Sequence, residues 1–241
     1  MSRDRWVAKL RAREKRCRAF IPREIHRPDD SLIGIILEAD QHMNKQDLIP
    51  PQNEGKQADL LEKKTLPDEN SAQQTFSTAS DRLLHPQRWQ ELCGKAGAAF
   101  AVISDELQQV DRPLKEGDYL RIDIPGPGTG AGEGYDWVRV AMLQSGEEAG
   151  IRRLGIKLEP SANPESRGDA TAHFFKAGSS STLEIILEGN IIEAHYHGRN
   201  EVINNETGKL GDDLRNTVVG AGAKAGLSEA QWTALLKGLI A

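Results

Sequence analysis

The segment LEIILEGNIIEAHYH, residues 183–197, constrains this chain most, because it can be registered as a β-hairpin residue by residue. Gly189-Asn190 is a two-residue turn signal that sets Glu188 opposite Ile191. Counting outward, Leu187 meets Ile192, Ile185 meets Ala194 and Leu183 meets Tyr196, all on one face. The other face pairs Ile186 with Glu193, Glu184 with His195 and Thr182 with His197. A slip of one residue would turn the apolar set outward, so the register is self-consistent. Both histidines are expected on the less buried face.

Three stretches upstream alternate in the same way. DYLRIDI sets Leu120, Ile122 and Ile124 on one side and Tyr119, Arg121 and Asp123 on the other. WVRVAML turns Val138, Val140 and Met142 inward, and IRRLGIKL turns Leu154, Ile156 and Leu158 inward. With the hairpin, they make an antiparallel sheet of about five strands. In HPQRWQELCGKAGAAF, Pro86 suits a first helical position, and Trp89, Leu92, Cys93 and Ala96 recur at helical spacing. Near the C-terminus, a helix capped by Asp212 or Asp213 runs to about Lys224. SEAQ then forms a capping box before Trp232, Leu235, Leu236 and Leu239. Strands followed by helices, without βαβ alternation, predict an α+β domain over residues 81–241, one helix preceding the sheet and two following it.

Residues 1–39 read as a basic N-terminal helical arm, with Trp6, Val7, Leu10 and Phe20 as a thin apolar stripe. Residues 40–80 read as a flexible linker with at most a helical turn at ADLLEKK, since their scattered apolar residues cannot offset the entropy of ordering. Residues 1–27 carry ten Lys or Arg against three acids (+7), and residues 28–80 carry four against ten (−6), in a chain of net charge −5. A basic leader of this kind can dock on nucleic acid or an acidic partner segment, or form a solvated helix face. No apolar run approaches the roughly 18 residues of a membrane span, and no apolar stretch follows the basic start as in a secretory signal. The expectation is a cytoplasmic protein without a membrane partner. Cys17 and Cys93 lack metal-ligand or redox spacing and read as reduced, incidental thiols.

PGPGTGAGEG, residues 125–134, has the glycine content of a phosphate loop but neither of its patterns. Glu133 stands where a dinucleotide fingerprint needs its third glycine, no Lys-Ser or Lys-Thr follows, and the next element reads as a strand rather than a helix. No nucleotide is expected there.

GNIIEAHYHGRNEVINNETG, residues 189–208, resembles the first metal-binding motif of the cupin family, G-x5-H-x-H-x3-E-x6-G, although the second cupin motif is absent and no histidine follows His197. The resemblance implies a divalent transition metal (Fe, Mn or Zn) held by His195, His197 and Glu201, with His173 as a further ligand. Glu184, the cross-strand neighbour of His195, is a ligand or a partner behind one. The alternative is a pair of strand histidines with Glu184 and Glu193 as charge partners. A second candidate surface gathers Tyr119, Arg121, Trp137 and Arg139 on the outward face of the meander, the mixture of aromatics and cations that single-stranded nucleic acid binders use, unless helices or a partner protein cover the face and Trp137 packs under a helix. Arg199 and Asn200 in HGRNE could recognise a peptide or carboxylate, or stitch a turn together.

GYDWVRV, AHFF, HGRNE and QWTALLKGL together resemble an uncharacterised family of bacterial proteins associated with contractile (type VI) secretion gene clusters. This implies a non-enzymatic cytoplasmic interaction module that binds a protein partner. The alternatives are a cupin-like metalloenzyme and a nucleic-acid-binding protein using the sheet face and the basic arm.

Overall fold

The computed structural model describes residues 48–93, 98–123, 132–166, 171–204 and 229–241. The arm helix, the helix of residues 212–224 and most of the glycine-rich loop lie outside the described residues. In chain order the elements are β1 (Lys56–Thr65), α1 (Glu69–Leu84), a 3-10 turn (Pro86–Arg88), α2 (Trp89–Cys93), β2 (Ala99–Ile103), β3 (Gln109–Val110) and β4 (Tyr119–Asp123). They continue with β5 (Asp136–Glu148), β6 (Ile151–Pro160), β7 (Ser180–Glu188), β8 (Ile191–Glu201) and α3 (Glu229–Leu239). The fold is α+β. The strands make one antiparallel sheet of order β1-β8-β7-β6-β5-β4-β2-β3, eight strands rather than about five.

The β7–β8 hairpin has the register expected of it, with Glu188 opposite Ile191, Leu183 opposite Tyr196 and Glu184 opposite His195. Its inner face is buried completely or nearly so at Leu183, Ile185, Leu187, Ile192, Ala194 and Tyr196. The inner faces of β4 and β6 add Leu120, Ile122, Leu154, Ile156 and Leu158 to the same core. Helices α1 and α3 cover this face. From α1 come Phe76, Leu83 and Leu84; from α3 come Trp232, Leu235, Leu236 and Leu239. The Trp232 ring stacks on Tyr196 at 4.3 Å between centroids.

The stretch 40–80 is not a linker throughout: it holds β1 and most of α1. Strand β1 pairs along β8, and α1 starts at Asp68, whose carboxylate accepts from the Ser71 N–H at 2.8 Å. The capping geometry is a common helix start. Nor is HPQRWQELCGKAGAAF one helix throughout: among the described residues α2 covers Trp89–Cys93, and Ala99 and Phe100 at the far end belong to strand β2. Met142 is a further correction. A bulge between Val140 and Met142 inserts Ala141, so Val140 faces the core while Met142 pairs with Lys157 on the outer face and Leu143 takes the inward place.

Gly55 leads into β1 with φ +68°, and a Cβ there would lie 2.7 Å from the Glu201 carbonyl oxygen. Gly55→Ala combines left-handed backbone strain with a backbone clash and should lower stability by about 1–3 kcal/mol. Leu235→Ala, at a fully buried position of α3, should cost about 2–5 kcal/mol. Urea unfolding checks both; wild-type stability in Gly55→Ala would show that the β1–β8 end tolerates a side chain there.

Candidate functional site

Alternation along β8 turns His195, His197 and Arg199 outward, where β7 contributes Thr182, Glu184 and Ile186 and β1 contributes Asp59, Leu61 and Lys63. The two imidazoles stack at 5.7 Å. His197 stands between two carboxylates: Nδ1 is 2.5 Å from Asp59 Oδ1, and Nε2 is 3.6 Å from Glu184 Oε2, an ion-pair distance rather than a direct hydrogen bond. Arg199 donates to the same Asp59 oxygen at 2.7 Å. His195 Nε2 is 3.1 Å from Glu193 Oε2, and the other oxygen of Glu193 accepts from Lys63 Nζ at 2.8 Å.

These partners set the protonation states. Glu184, and after it the hydrogen bond and charge of Asp59, hold His197 above the ordinary histidine value against the opposing effect of burial. Burial works against ionisation of Asp59, yet hydrogen bonds from His197, Arg199 and Gln57 hold its carboxyl down at about 2. Hydrogen bonding from Lys63 is the main cause of the lowered Glu193 value. The face is a closed set of ion pairs, each group already engaged by a neighbour.

The expected metal ligands do not converge. Asn200 has φ 55°, which breaks the alternation, and Glu201 lies on the inner side, where it accepts from the Tyr196 hydroxyl at 3.0 Å. Its carboxylate packs against Gly198, and burial raises its pKa. His173 is half-buried, lowered by desolvation to about 4, and its Nδ1 accepts from the Phe175 N–H at 2.9 Å. The ring is therefore neutral near pH 7 and engaged within its own loop. Among the described residues no group of three or more His, Cys, Asp or Glu is arranged to hold a metal ion. The residues of the cupin-like motif do not fit such a site.

The aromatic surface is changed as well. Tyr119, Arg121, Trp137 and Arg139 do share the outer face, in the pairs Tyr119–Arg139 and Arg121–Trp137. Trp137, however, is 1% exposed and packs with Ile103 and Ala172 in a second small core, its backbone N–H donating to the Ala172 carbonyl at 2.7 Å. It cannot stack on a base. Arg121 lies over Tyr135 at 5.0 Å and reaches Gln109. Arg199 and Asn200 act as stitching. Arg199 donates to the Ala58 carbonyl, and Asn200 Oδ1 accepts from the Asn53 and Glu54 N–H groups.

A groove of about 160 Å³ lies beside this face. Its floor is the outer face of β5 and β6, with Gly155 covered by the Leu48 side chain and open space above Gly146. Leu48 is held there by the Thr182 hydroxyl, which donates to its carbonyl at 3.1 Å. Sequence reasoning missed Asp59 and the groove. Asp59 is 138 residues from His197, and only the pairing of β1 with β8 unites them; the two glycines at 146 and 155 were the visible signal for the groove.

No family model matches the chain, and no curated protein matches it. Among solved structures it is similar to ginseng major latex-like protein 151 from Panax ginseng, at 9% identity over 77% of this chain and 97% of that one, TM-score 0.32. It is also similar to a truncated norcoclaurine synthase from Thalictrum flavum, at 14% identity over 77% and 96%, TM-score 0.31. Likeness at that level carries no argument about fold or function.

The ion pairs around His197 have a pH signature. Its folded value lies above the ordinary 6.5, so the stabilisation is complete below 6.5 and is lost as pH rises through the folded value. The urea midpoint of the wild type should therefore fall relative to His197→Gln as pH is raised from below 6.5 into the alkaline range. A difference between the two proteins that is constant with pH would sink this account.

Proposed function

We propose that the chain is a non-enzymatic interaction module that binds a protein partner through the outer face of its sheet. The observation that carries this reading is the groove beside the His197 cluster. At about 160 Å³ it falls below the roughly 300 Å³ at which small-molecule sites begin, and is of a size to receive a side chain or two from another protein. The neighbouring imidazoles and carboxylates are committed to one another, which suits a rigid platform better than proton transfer to a substrate. The face already supports extended chain of its own, since residues 48–54 are fastened along it through Thr182 and Asn200. A cytoplasmic location and an accessory role in a contractile secretion system, which the sequence resemblance implies, belong to the same proposal.

Site-specific photocross-linking in the native cell tests it. With p-benzoylphenylalanine placed at position 146, over the groove, discrete adducts to a protein should form; the same group at Gln73, on the exposed side of α1, should give none. Absence of adducts from position 146 would remove the reading. Metal analysis after supplementation with Fe(II), Mn(II) and Zn(II) addresses the enzymatic alternative. Sub-stoichiometric binding is expected, and one bound metal per chain that disappears in His197→Ala would replace the module with a metalloprotein.

A further inference from the structure

Strand β5 outruns its neighbour. It is thirteen residues long, while β4 has five and pairs only with residues 136–139. Gly117 and Asp118 extend the bonding to Val140, and the Leu143 N–H is met by Glu116 Oε2 at 3.4 Å. Past that point no strand among the described residues pairs with this side of β5. Alternation directs the N–H and C=O groups of Ser145 and Glu147 the same way as those of Leu143. The step is an interior sheet edge six residues long, about 20 Å at strand spacing. The groove follows residues 143–148 without a gap and then turns over Arg153 and Gly155 to Glu184.

Charge selects what can lie there. Glu116, Glu147 and Glu148 flank the step, against Arg152, which is 3.7 Å from Glu147, and Arg153, while Glu184 at the far end of the groove is taken by His197. Three carboxylates against two guanidinium groups leave the step net acidic, which favours a cationic occupant. A second copy of the same edge would set Glu147 and Glu148 against their own kind, which disfavours self-pairing. Gly146 leaves room over the floor for a long side chain whose ammonium or guanidinium group reaches the acids.

Resting on the module reading above, we propose that the partner contributes an extended segment carrying lysine or arginine at alternate positions, which adds as a strand to β5 along residues 143–148. The segment bonds through its backbone to the step edge and is chosen by its charge in the groove.

Peptide binding to the full-length protein decides it. A short threonine- and valine-rich peptide with two alternate lysines should bind, with affinity that weakens as salt is raised. Its glutamate counterpart should bind at least about tenfold more weakly, as should the lysine peptide to a Glu147→Lys, Glu148→Lys variant. Binding should slow amide exchange at Ser145 and Glu147, and N-methylation of alternate peptide amides, which keeps the charge, should abolish it. Equal affinity for both charges, indifference to N-methylation, or no binding of the lysine peptide would each overturn the inference. Cross-links from position 146 that persist in such a case would leave the module standing with a different mode of contact.

Discussion

The β7–β8 hairpin is the constraint on which the rest depends. It is paired along both sides, with β6 against β7 and β1 against β8. Its inner face supplies the floor on which α1 and α3 rest, and its outer face supplies both histidines. The turn also anchors what precedes α1. The Leu66 N–H donates to the Asn190 carbonyl, and Asn190 Nδ2 donates to the Leu66 carbonyl, both at 2.8 Å. That reciprocal pair fixes Leu66, just past the end of β1 and two residues before the Asp68 cap, so the position of α1 follows from the hairpin.

What was legible in the sequence follows from the size of the alternating side chains. β4, β6 and the hairpin show alternating Leu and Ile with polar neighbours, and their inward residues lie where alternation puts them. β1 conceals itself because its inward positions include Glu62 and Lys64, which are tolerable only at a sheet edge. There Lys64 reaches the Ile240 carbonyl at 3.1 Å and Glu62 faces Lys237 at 3.7 Å. In α1 the packing residues include Ala72, Ala79 and Ser80, too small to stand out from a Gln- and Ser-rich stretch. Met142 departs from its expected side because a bulge leaves no trace in periodicity until it has happened.

The site was legible only in part. Register alone put His195 and His197 on one outer face and Glu184 beside them. Glu201 failed because a single left-handed residue, Asn200, reverses the face of everything after it, and motif spacing carries no information about backbone handedness. Two-residue alternation from His197 would have kept Glu201 with the histidines; the Tyr196 hydroxyl holds it on the other side instead. Trp137 shows the converse limit. Its outward orientation was correct, yet residues far along the chain cover it, and outward does not mean exposed.

The edges of the sheet differ in how they are closed, and each closure has a physical cause. At one end, β1 is flanked by α3, with Lys56 and Glu229 in contact at 2.6 Å and the charged inward residues of β1 bonded to the end of that helix. At the other, β3 is two residues long and offers almost no backbone to a stranger. Strand β1 also leaves its outer side unpaired among the described residues, with Lys56, Lys63 and Lys64 to blunt it; the step left by the short β4 is a second unpaired run, and it is guarded by acids rather than by the lysines and prolines that commonly blunt an edge. Acids repel another copy of themselves while attracting a basic strand. An edge so guarded is disfavoured for pairing with its own kind, and the same charge that disfavours self-pairing is what the proposed basic strand would meet.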